Sequence, residues 1–340
     1  MYGGLQGPKI IAPSNFLWYS KKVRIFKKVK GGLWMIELIA TVESIQQAKD
    51  LLEAGVDTIY FGEDQFGLRL PMSFTREEQK ELTELAHQYG KKASVAVNAI
   101  FHNEGIALVP EYLKFLKEIG VDNIAVGDPG VVQIMKNPEY SIPYRYDAAV
   151  LVTSSRQINF WGKRGAVGAV IAREIPREEM KILAAGVEIP IEVLVYGATC
   201  IHHSKRPLLN NYFNYIEKKE SVEKRRGLFV SEPADEDSHY SIYEDINGTH
   251  IFANNDVSLA PYLLELTEMG IPQWKLDGVL APGQDFVEVA KLFVNARNEI
   301  EAGTWTPEKS ASLELQVRAH HPKVRGLEAG FYLLNPEDVK

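Results

Sequence analysis

The stretch MIELIATVESIQQAKDLLEAG, residues 35–55, decides the fold class. Its first seven residues form a mostly apolar run typical of a buried strand, and the residues after it have the spacing of an amphipathic helix. Gly55 closes this helix, at a position where a glycine suits a left-handed C-cap. A strand that leads directly into a helix is the repeating unit of parallel α/β folds, and it predicts such a fold here.

The same alternation continues to about residue 302. Runs with helical spacing separate seven further strand-like runs: TIYFGE, KASVAVNA, NIAVGD, YRYDAAV, GAVIARE, IEVLVYGA and WKLDGVL. A helix is expected from Thr75, because TREE offers an N-cap and an acidic first turn. About eight strands over about 265 residues predict a TIM-like (β/α)8 barrel at 35–302. No G-x-G-x-x-G motif follows the first strand, which disfavours a doubly wound sheet.

Two segments depart from the alternation. Residues from about 199 to 257 predict an irregular insertion between strands seven and eight. Within it, HYSIYEDINGTHIFANND indicates a hairpin around Asn247-Gly248, because this dipeptide favours a tight turn. Residues 303–340 are expected to be loop-rich and to pack on the barrel, over its base.

Composition narrows the class of protein. The 340 residues are 45% hydrophobic and 24% charged, with a net charge of -7, which is typical of a soluble globular protein. The sequence contains no run of about 18 apolar residues, so it predicts no membrane-spanning helix. The single cysteine excludes a disulfide framework and an all-cysteine zinc site. We therefore expect a cytoplasmic protein that has no membrane partner.

Residues 1–34 carry seven lysines or arginines and no acidic residue. A basic arm for nucleic acid or an anionic membrane, or a targeting segment, would explain this charge. We favour a third interpretation, in which translation starts at Met35, since Lys30-Gly31-Gly32 can be encoded by a bacterial ribosome-binding sequence. Native peptides from residues 1–34 in mass spectrometry would contradict it. Without this segment 31 basic residues face 45 acidic ones, a net charge of -14, so we expect no DNA partner.

Polar side chains follow most of the predicted strands. Because a barrel carries its active site at the carboxyl ends of its strands, these residues are the candidates for function. Arg173 and Glu174 form the sharpest pair: a carboxylate beside an arginine stays ionised and suits substrate binding, although a structural salt bridge explains the pair equally well. The candidates at the strand ends are Glu63, Asn98, Asp128, Asp147, Arg173, Glu174, Lys275 and Asp277.

A cluster of reactive side chains lies just past the seventh strand. Cys200, His202 and His203 suit a thiolate nucleophile with its base, or ligands to a metal. An inert buried cysteine beside surface histidines is the third alternative, and spacing does not decide among them. Adjacent side chains diverge, so both histidines are not expected on one metal. The H-E-x-x-H, P-loop and G-x-S-x-G motifs are absent from the sequence.

The segment from Cys200 to Leu228 is basic and aromatic. Tyr212, Phe213 and Tyr215 are interleaved with its cations, a combination that suits the phosphates and stacked bases of single-stranded RNA. A solvated charged face is the alternative. The cations are Lys205, Arg206, Lys218, Lys219, Lys224, Arg225 and Arg226.

The run IEVLVYGATCIHHSKRPLLNNYF, residues 191–213, resembles the signature region of the U32 peptidases, also called collagenase-like proteases. It is most similar to a short bacterial branch with a GxTCxxxSKRxLLxNYF pattern. Further similar segments extend the resemblance from Met35 to the C-terminus: VNAIFHN, LVTSSRQINFW, IAREI, NDVSLAPYLLEL, KLDGVL and HHPKVRGLEAGFYLLNPEDV.

The resemblance implies one of two activities, peptide hydrolysis or hydroxylation of RNA bases or of a quinone precursor. The short branch resembles proteins linked to prephenate-dependent formation of 5-hydroxyuridine at the tRNA wobble position, which implies tRNA as partner and prephenate as co-substrate. Several hydroxylating relatives hold an iron-sulfur cluster with four cysteines. Because Cys200 stands alone, a self-contained cluster is not expected here. Lys205-Arg206-Pro207 and KLDGVL also depart from the longer family patterns.

These observations lead to a set of assigned roles. We expect Glu174, Asp128 and Cys200 to be catalytic. Two alternatives stay open: a U32-type peptidase in which Cys200 or a bound metal attacks a peptide carbonyl, and a non-catalytic RNA-binding partner of a larger U32 paralogue. The residues expected to bind the small anionic substrate are Arg173, Asn98, Lys205, Arg206, His202, Lys275 and Asp277. Those expected to bind RNA are Lys205, Arg206, Tyr212, Phe213, Lys218, Lys219, Arg225 and Arg226.

Overall fold

The computed structural model describes residues 28–29, 32–33, 35–148, 152–218, 222 and 225–339. Most of the basic segment 1–34 lies outside these ranges, so a start at Met35 stays a prediction. Residues Lys28–Val29 (β1) and Gly32–Leu33 (β2) form a short antiparallel pair. No helix in the described ranges is long and apolar enough to cross a membrane.

Eight parallel strands close into a barrel. Each pairs with the next along the chain, and the last strand pairs with both the first and the seventh, so the ring has no free edge. This confirms the predicted TIM-like (β/α)8 barrel. The strands are β3 (Glu37–Thr41), β4 (Thr58–Phe61), β5 (Lys92–Val97), β6 (Asn123–Val126), β7 (Tyr144–Tyr146), β8 (Ala166–Val170), β9 (Ile191–Gly197) and β15 (Gln273–Asp277).

Helices follow the strands and begin and end where the sequence indicates. Ser44 caps the first helix by accepting a hydrogen bond from the Gln47 amide, and Gly55 ends it at φ 101°. Thr75 and Glu78 form a capping box at the second helix, as expected from TREE. The helices of the barrel are α1 (Ile45–Ala54), α2 (Arg76–Gln88), α3 (Asn103–Ile106), α4 (Val109–Glu118), α5 (Pro129–Ile134), α6 (Ser155–Gly162), α7 (Arg177–Gly186), α9 (Leu263–Met269) and α10 (Gln284–Glu301).

The two faces of the barrel strands bury different kinds of side chain. Leu38, Ile59 and Phe61 belong to the large apolar layer between strands and helices and are fully buried. Burial of one such side chain contributes about 1.5–3 kcal/mol. Inside the barrel, the alternate residues Ile39 and Tyr60 belong to a small separate cluster. The barrel interior therefore has room for polar groups, while the outer layer supplies most of the apolar core.

The insertion between strands seven and eight folds into a four-stranded antiparallel sheet in the order β10-β13-β12-β11. The predicted hairpin is confirmed, with Ile246 and Asn247 as its turn and Asp245 paired with Gly248. Gly248 has φ +105°, and a Cβ there would clash with the Ser204 carbonyl oxygen, so only glycine fits. The insertion contains β10 (Cys200–Ser204), α8 (Leu208–Tyr215), β11 (Leu228–Glu232), β12 (Asp235–Asp245), β13 (Gly248–Phe252) and β14 (Asn255–Ser258).

The C-terminal segment packs on the barrel, but its expected loop-rich character and position over the base are wrong. It contains the 14-residue helix α11 (Pro307–His320), in which only Leu313 and Val317 are buried, a stripe too narrow to predict a helix. Its strand β16 (Gly326–Glu328) pairs with β14, which in turn pairs with the carboxyl end of β9. Short 3-10 helices occupy Ala260–Tyr262, Gly330–Leu333 and Pro336–Val339.

Candidate functional site

A cavity of about 580 Å³ opens at the carboxyl ends of the barrel strands. This is the end at which barrel proteins place their chemistry. Strand β10 of the insertion forms one side of the cavity, so the insertion and the barrel build it together. The candidates from the sequence that line it are Asn98, Asp128, Asp147, Arg173, Cys200, His202, His203, Lys275 and Asp277.

An ion-pair network forms the floor of the cavity. Arg145 is buried, and its guanidinium lies 3.0 Å from a carboxylate oxygen of Glu192 and 3.1 Å from both oxygens of Glu37. Thr58 and Gln273 donate further hydrogen bonds to Glu37 at 2.6 and 2.8 Å. Burial alone would raise the pKa of Glu37, but Arg145 and these hydrogen bonds outweigh it and lower the pKa to about 2. The charges of the floor are therefore satisfied by one another.

Lys275 stands between this floor and the open cavity. Its Nζ lies 3.1 Å from the centroid of the Tyr60 ring and 4.0 Å from a carboxylate oxygen of Glu192. Burial lowers the pKa of Lys275 to about 8, although Glu192 and Asp277 pull it upward. The lysine thus keeps a proton near neutral pH at a large desolvation penalty. A negatively charged ligand in the cavity would reduce that penalty.

Two arginines lie nearer the mouth. Arg173 donates to the Ala198 carbonyl oxygen at 2.8 Å and lies 3.7 Å from an Asp277 carboxylate oxygen. Arg69, in the loop after β4, has no ion pair or hydrogen bond with any residue that the structure describes. Its backbone has φ 54°, a left-handed conformation that is strained for arginine. An unpaired cation on a strained backbone is typical of a ligand-binding position. The sequence analysis missed Arg69, although its place in a strand-to-helix loop was a signal.

Two of the lining acids are held in place by neighbours. The Asn98 side chain donates from Nδ2 to Asp147 at 2.7 Å, and its Oδ1 accepts from the Leu68 amide at 3.0 Å. Asp128 accepts from the Gly130 amide at 2.6 Å as the N-cap of α5. Asp128 thus orients the start of this helix as well as lining the cavity, and its predicted catalytic role stays a prediction.

Glu174 is placed differently from its neighbour. It does not line the cavity, whereas Arg173 does, because adjacent side chains point in different directions. Arg173 takes Asp277 as its acidic neighbour instead. One Glu174 carboxylate oxygen is buried and has no hydrogen-bonding partner among the described residues. The geometry gives no support to a catalytic role for Glu174 in this cavity.

The cysteine-histidine cluster gains two members from the insertion that the sequence analysis missed. His250 on β13 is fully buried, and its Nε2 lies 3.1 Å from the Asp245 carboxylate. The His203 ring stacks on it at 4.6 Å and makes a 2.9 Å contact with the Asn247 carbonyl oxygen. The alternation in YEDINGTHIF was the available signal, because it places Asp245 and His250 across a tight turn. The described residues contain no group of three side chains arranged to hold a metal ion.

The basic and aromatic segment is largely exposed. Tyr212 and Tyr215 on α8 are 57% and 86% exposed. Phe213 instead packs against the apolar cluster under the inserted sheet. The charged members do not line the cavity: Lys205, Arg206, Lys218 and Arg225 are exposed, and Arg226 lies 3.4 Å over the Tyr243 ring and donates to the Leu70 carbonyl oxygen. Lys219 and Lys224 lie outside the described residues.

Fold and cavity together define a (β/α)8 barrel protein with a charged cavity at the carboxyl ends of its strands and an inserted sheet at the mouth. The chain belongs to peptidase family U32, whose model matches residues 43–340. A solved structure of a U32 peptidase is similar to it with a TM-score of 0.47 and 14% identity, over 77% of this chain and 99% of that chain.

Curated relatives share much of the chain. The tRNA hydroxylation protein P2 of Bacillus subtilis is 36% identical over 306 residues, which cover 87% of this chain and 97% of the relative. The tRNA hydroxylation protein P of Escherichia coli is 25% identical over 347 residues, covering 89% and 75%. The 23S rRNA 5-hydroxycytidine C2501 synthase of Escherichia coli is 25% identical over 169 residues, covering 50% and 25%.

Proposed function

We propose that this protein acts in the hydroxylation of a tRNA pyrimidine, and that the barrel-mouth cavity receives the base. The relationship to tRNA hydroxylation protein P2 extends over nearly the whole of that relative and supports the proposal. The 5-hydroxycytidine synthase indicates the same kind of reaction, at pyrimidine C5, on another RNA. The product we assign is 5-hydroxyuridine at the wobble position, which the family resemblance implies.

The unpaired charge of Arg69 is the observation that carries the proposal. Cations and carboxylates both line the cavity, so net charge does not select the ligand. The pairing of the charges selects the ligand instead. Arg173 has Asp277 beside it, whereas Arg69 has no acidic partner among the described residues. A guanidinium binds a carboxylate or phosphate through two parallel hydrogen bonds. We assign Arg69 to the carboxylate of a small co-substrate, for which prephenate is the candidate.

The exposed helix α8 supplies a surface for the RNA. A tRNA anticodon loop presents unstacked bases, and such bases stack on exposed aromatic rings. Tyr212 and Tyr215 offer these rings, and Lys205, Arg206 and Lys218 offer charge for the phosphates. Strand β10, which leads into α8, also lines the cavity. RNA bound on α8 would therefore bring a single-stranded base close to the cavity.

Deletion of the gene tests the proposal. Nucleosides from total tRNA are measured by mass spectrometry in the wild type, the deletion strain and the deletion strain that carries the gene on a plasmid. We expect 5-hydroxyuridine to fall in the deletion strain and to return with the plasmid. The comparison is repeated in a strain without any larger U32 paralogue, which removes redundancy. Unchanged 5-hydroxyuridine in that background contradicts the proposal.

Peptide hydrolysis is a second candidate, favoured by Cys200 at the cavity and His250 on the neighbouring strand. A thiol and a nearby imidazole are the parts that a cysteine peptidase needs. Purified protein incubated with collagen-like peptides decides this point. Cleavage by the wild type that is lost in Cys200→Ser would support hydrolysis, and no cleavage by the wild type would dismiss it.

A further inference from the structure

Cys200, His250 and Asp245 form a line that runs from the cavity into the inserted sheet. Cys200 lines the cavity on β10, and His250 lies on the neighbouring strand β13. A bulge between Cys200 and His202 shifts the register of these two strands. Behind the histidine, the Asp245 carboxylate lies 3.1 Å from its Nε2. Thiol, imidazole and carboxylate thus stand in the order that activates a nucleophile.

The second nitrogen of His250 lacks a partner. Nδ1 is buried and makes no hydrogen bond with any described residue. A protonated imidazole has two N–H donors, and Asp245 takes only the one on Nε2. The Cys200 thiol, on the neighbouring strand β10, interacts with His250 and donates to the His202 carbonyl oxygen at 3.2 Å. A Cys200 thiolate would give Nδ1 the acceptor that it lacks.

The surrounding charges favour this ion pair. Burial raises the pKa of Cys200, but His250 and the positive charges of Arg69 and Arg173 outweigh burial and lower it. Burial lowers the pKa of His250, yet Asp245 and Cys200 outweigh burial and raise it. Burial also lowers the pKa of His203, so of the two stacked rings His250 is the one that holds the proton.

We infer that Cys200 is a nucleophile that adds to C6 of the target pyrimidine, with His250 as the partner that takes the thiol proton and Asp245 as the positioning residue behind it. This inference rests on the proposed function, because it takes the pyrimidine of tRNA as the substrate. It gives the lone cysteine a covalent role in the cavity, in contact with the reacting base.

The bonds of this step balance without an oxidant. The thiolate lone pair forms the S–C6 bond, and the C5=C6 π pair moves onto C5 and the C4 carbonyl oxygen as an enolate. C5 then accepts a proton from solvent. In the reverse direction C5 loses a proton, and the thiolate leaves with the S–C6 electron pair. The enolate carbon is electron-rich at C5, which is the atom that hydroxylation modifies.

The reversible addition predicts exchange of the C5 hydrogen with solvent. The wild-type protein is incubated in deuterated water with an anticodon stem-loop that carries a wobble uridine, and deuterium at C5 is measured by mass spectrometry. We expect exchange that falls about 100-fold or more in Cys200→Ala and about tenfold or more in His250→Gln. His320→Gln, on the far helix α11, is the matched control and should keep the wild-type rate. Circular dichroism and thermal melts establish that each variant is folded.

A second measurement does not depend on variants. A stem-loop with 5-fluorouridine at the wobble position should form a covalent complex with the wild type, and digestion should locate the adduct at Cys200. Absence of both exchange and adduct in the wild type, or exchange that survives in Cys200→Ala, overturns the inference. In cells, Cys200→Ala that restores 5-hydroxyuridine fully would overturn the inference and leave the proposed function standing. Failure of the proposed function shows instead as unchanged 5-hydroxyuridine in the deletion strain.

Discussion

The floor and the mouth of the barrel carry the same kinds of charge but use them differently. On the floor, Arg145 makes close contacts with Glu37 and Glu192, and every member of the network is buried or nearly so. At the mouth, Arg69 is unpaired among the described residues and strained in its backbone. Removing one partner of a buried charge pair is costly to the fold, whereas an unpaired charge in a cavity is a candidate for ligand binding.

Lys275 lies between the two regions, and its charge is paired less completely than that of Arg145. Its distance of 4.0 Å to Glu192 is longer than the 3.0 Å contact that Arg145 makes with the same residue. The burial of Lys275 is therefore only partly compensated, which the low pKa records. We propose that pairing, rather than charge alone, separates structural from functional residues inside this barrel.

The largest effect is expected from Arg145→Met on the floor. The change leaves Glu37 and Glu192 buried without their cation, and loss of one partner from a buried network costs about 3–5 kcal/mol. Urea denaturation at neutral pH measures this loss. The control is Arg318→Met, which removes the exposed arginine of a pair with the partly buried Glu314 and should cost less than about 1 kcal/mol. An equal loss in the free energy of unfolding for the two variants would contradict the structural role assigned to the buried pairs of the floor.

The next effect comes from the pH dependence of Lys275. Its pKa is about 8 in the folded protein against 10.5 for an ordinary lysine, so between these values the unfolded chain binds more protons. The free energy of unfolding of the wild type should therefore rise relative to that of Lys275→Met as pH increases from about 8 to 10.5, by on the order of 3 kcal/mol. Denaturation curves of both proteins over this range measure the difference. Parallel pH profiles would show that the lysine carries no such penalty.

A smaller effect on stability is expected from Arg69→Gly at the mouth. Glycine adopts the left-handed backbone without strain, so the variant should be as stable as the wild type or more stable by about 1 kcal/mol. Glu217→Gly is the matched control, because Glu217 has φ 57° and lies outside the cavity. Thermal melts measure both. Clear destabilisation by Arg69→Gly would mean that the arginine side chain stabilises the folded protein.

The smallest effect is expected from Lys92→Met at the outer edge of the floor. Its Nζ lies 3.3 Å from a Glu37 carboxylate oxygen, but the side chain is 54% exposed. An exposed ion pair contributes less than about 1 kcal/mol, and salt weakens it further. Urea denaturation in low and high salt measures the contribution. If Lys92→Met loses as much free energy of unfolding as Arg145→Met, then exposed charges on the floor stabilise the protein as strongly as buried ones.

The barrel was predictable from sequence because each repeat of strand and helix shows its own periodicity and caps, as in residues 35–55. Helix α11 was not predictable from sequence, because its two buried residues form no clear apolar stripe. At the site, Asn98, Asp128, Lys275 and Asp277 were found because position at a strand end is readable from the chain. Arg69 and His250 were missed for a physical reason: their roles depend on backbone conformation and on contacts between segments distant in sequence.

The most direct test of the account is the amount of 5-hydroxyuridine in tRNA from the deletion strain complemented with Arg69→Gly. If the unpaired cation at the mouth binds substrate, this folded variant should restore no more than about a tenth of the wild-type level, since loss of a charge-assisted contact costs about 1.5–3 kcal/mol. Glu217→Gly, with the same change in backbone, should restore the full level. Full restoration by Arg69→Gly would contradict the assignment of the cavity as the site of RNA hydroxylation.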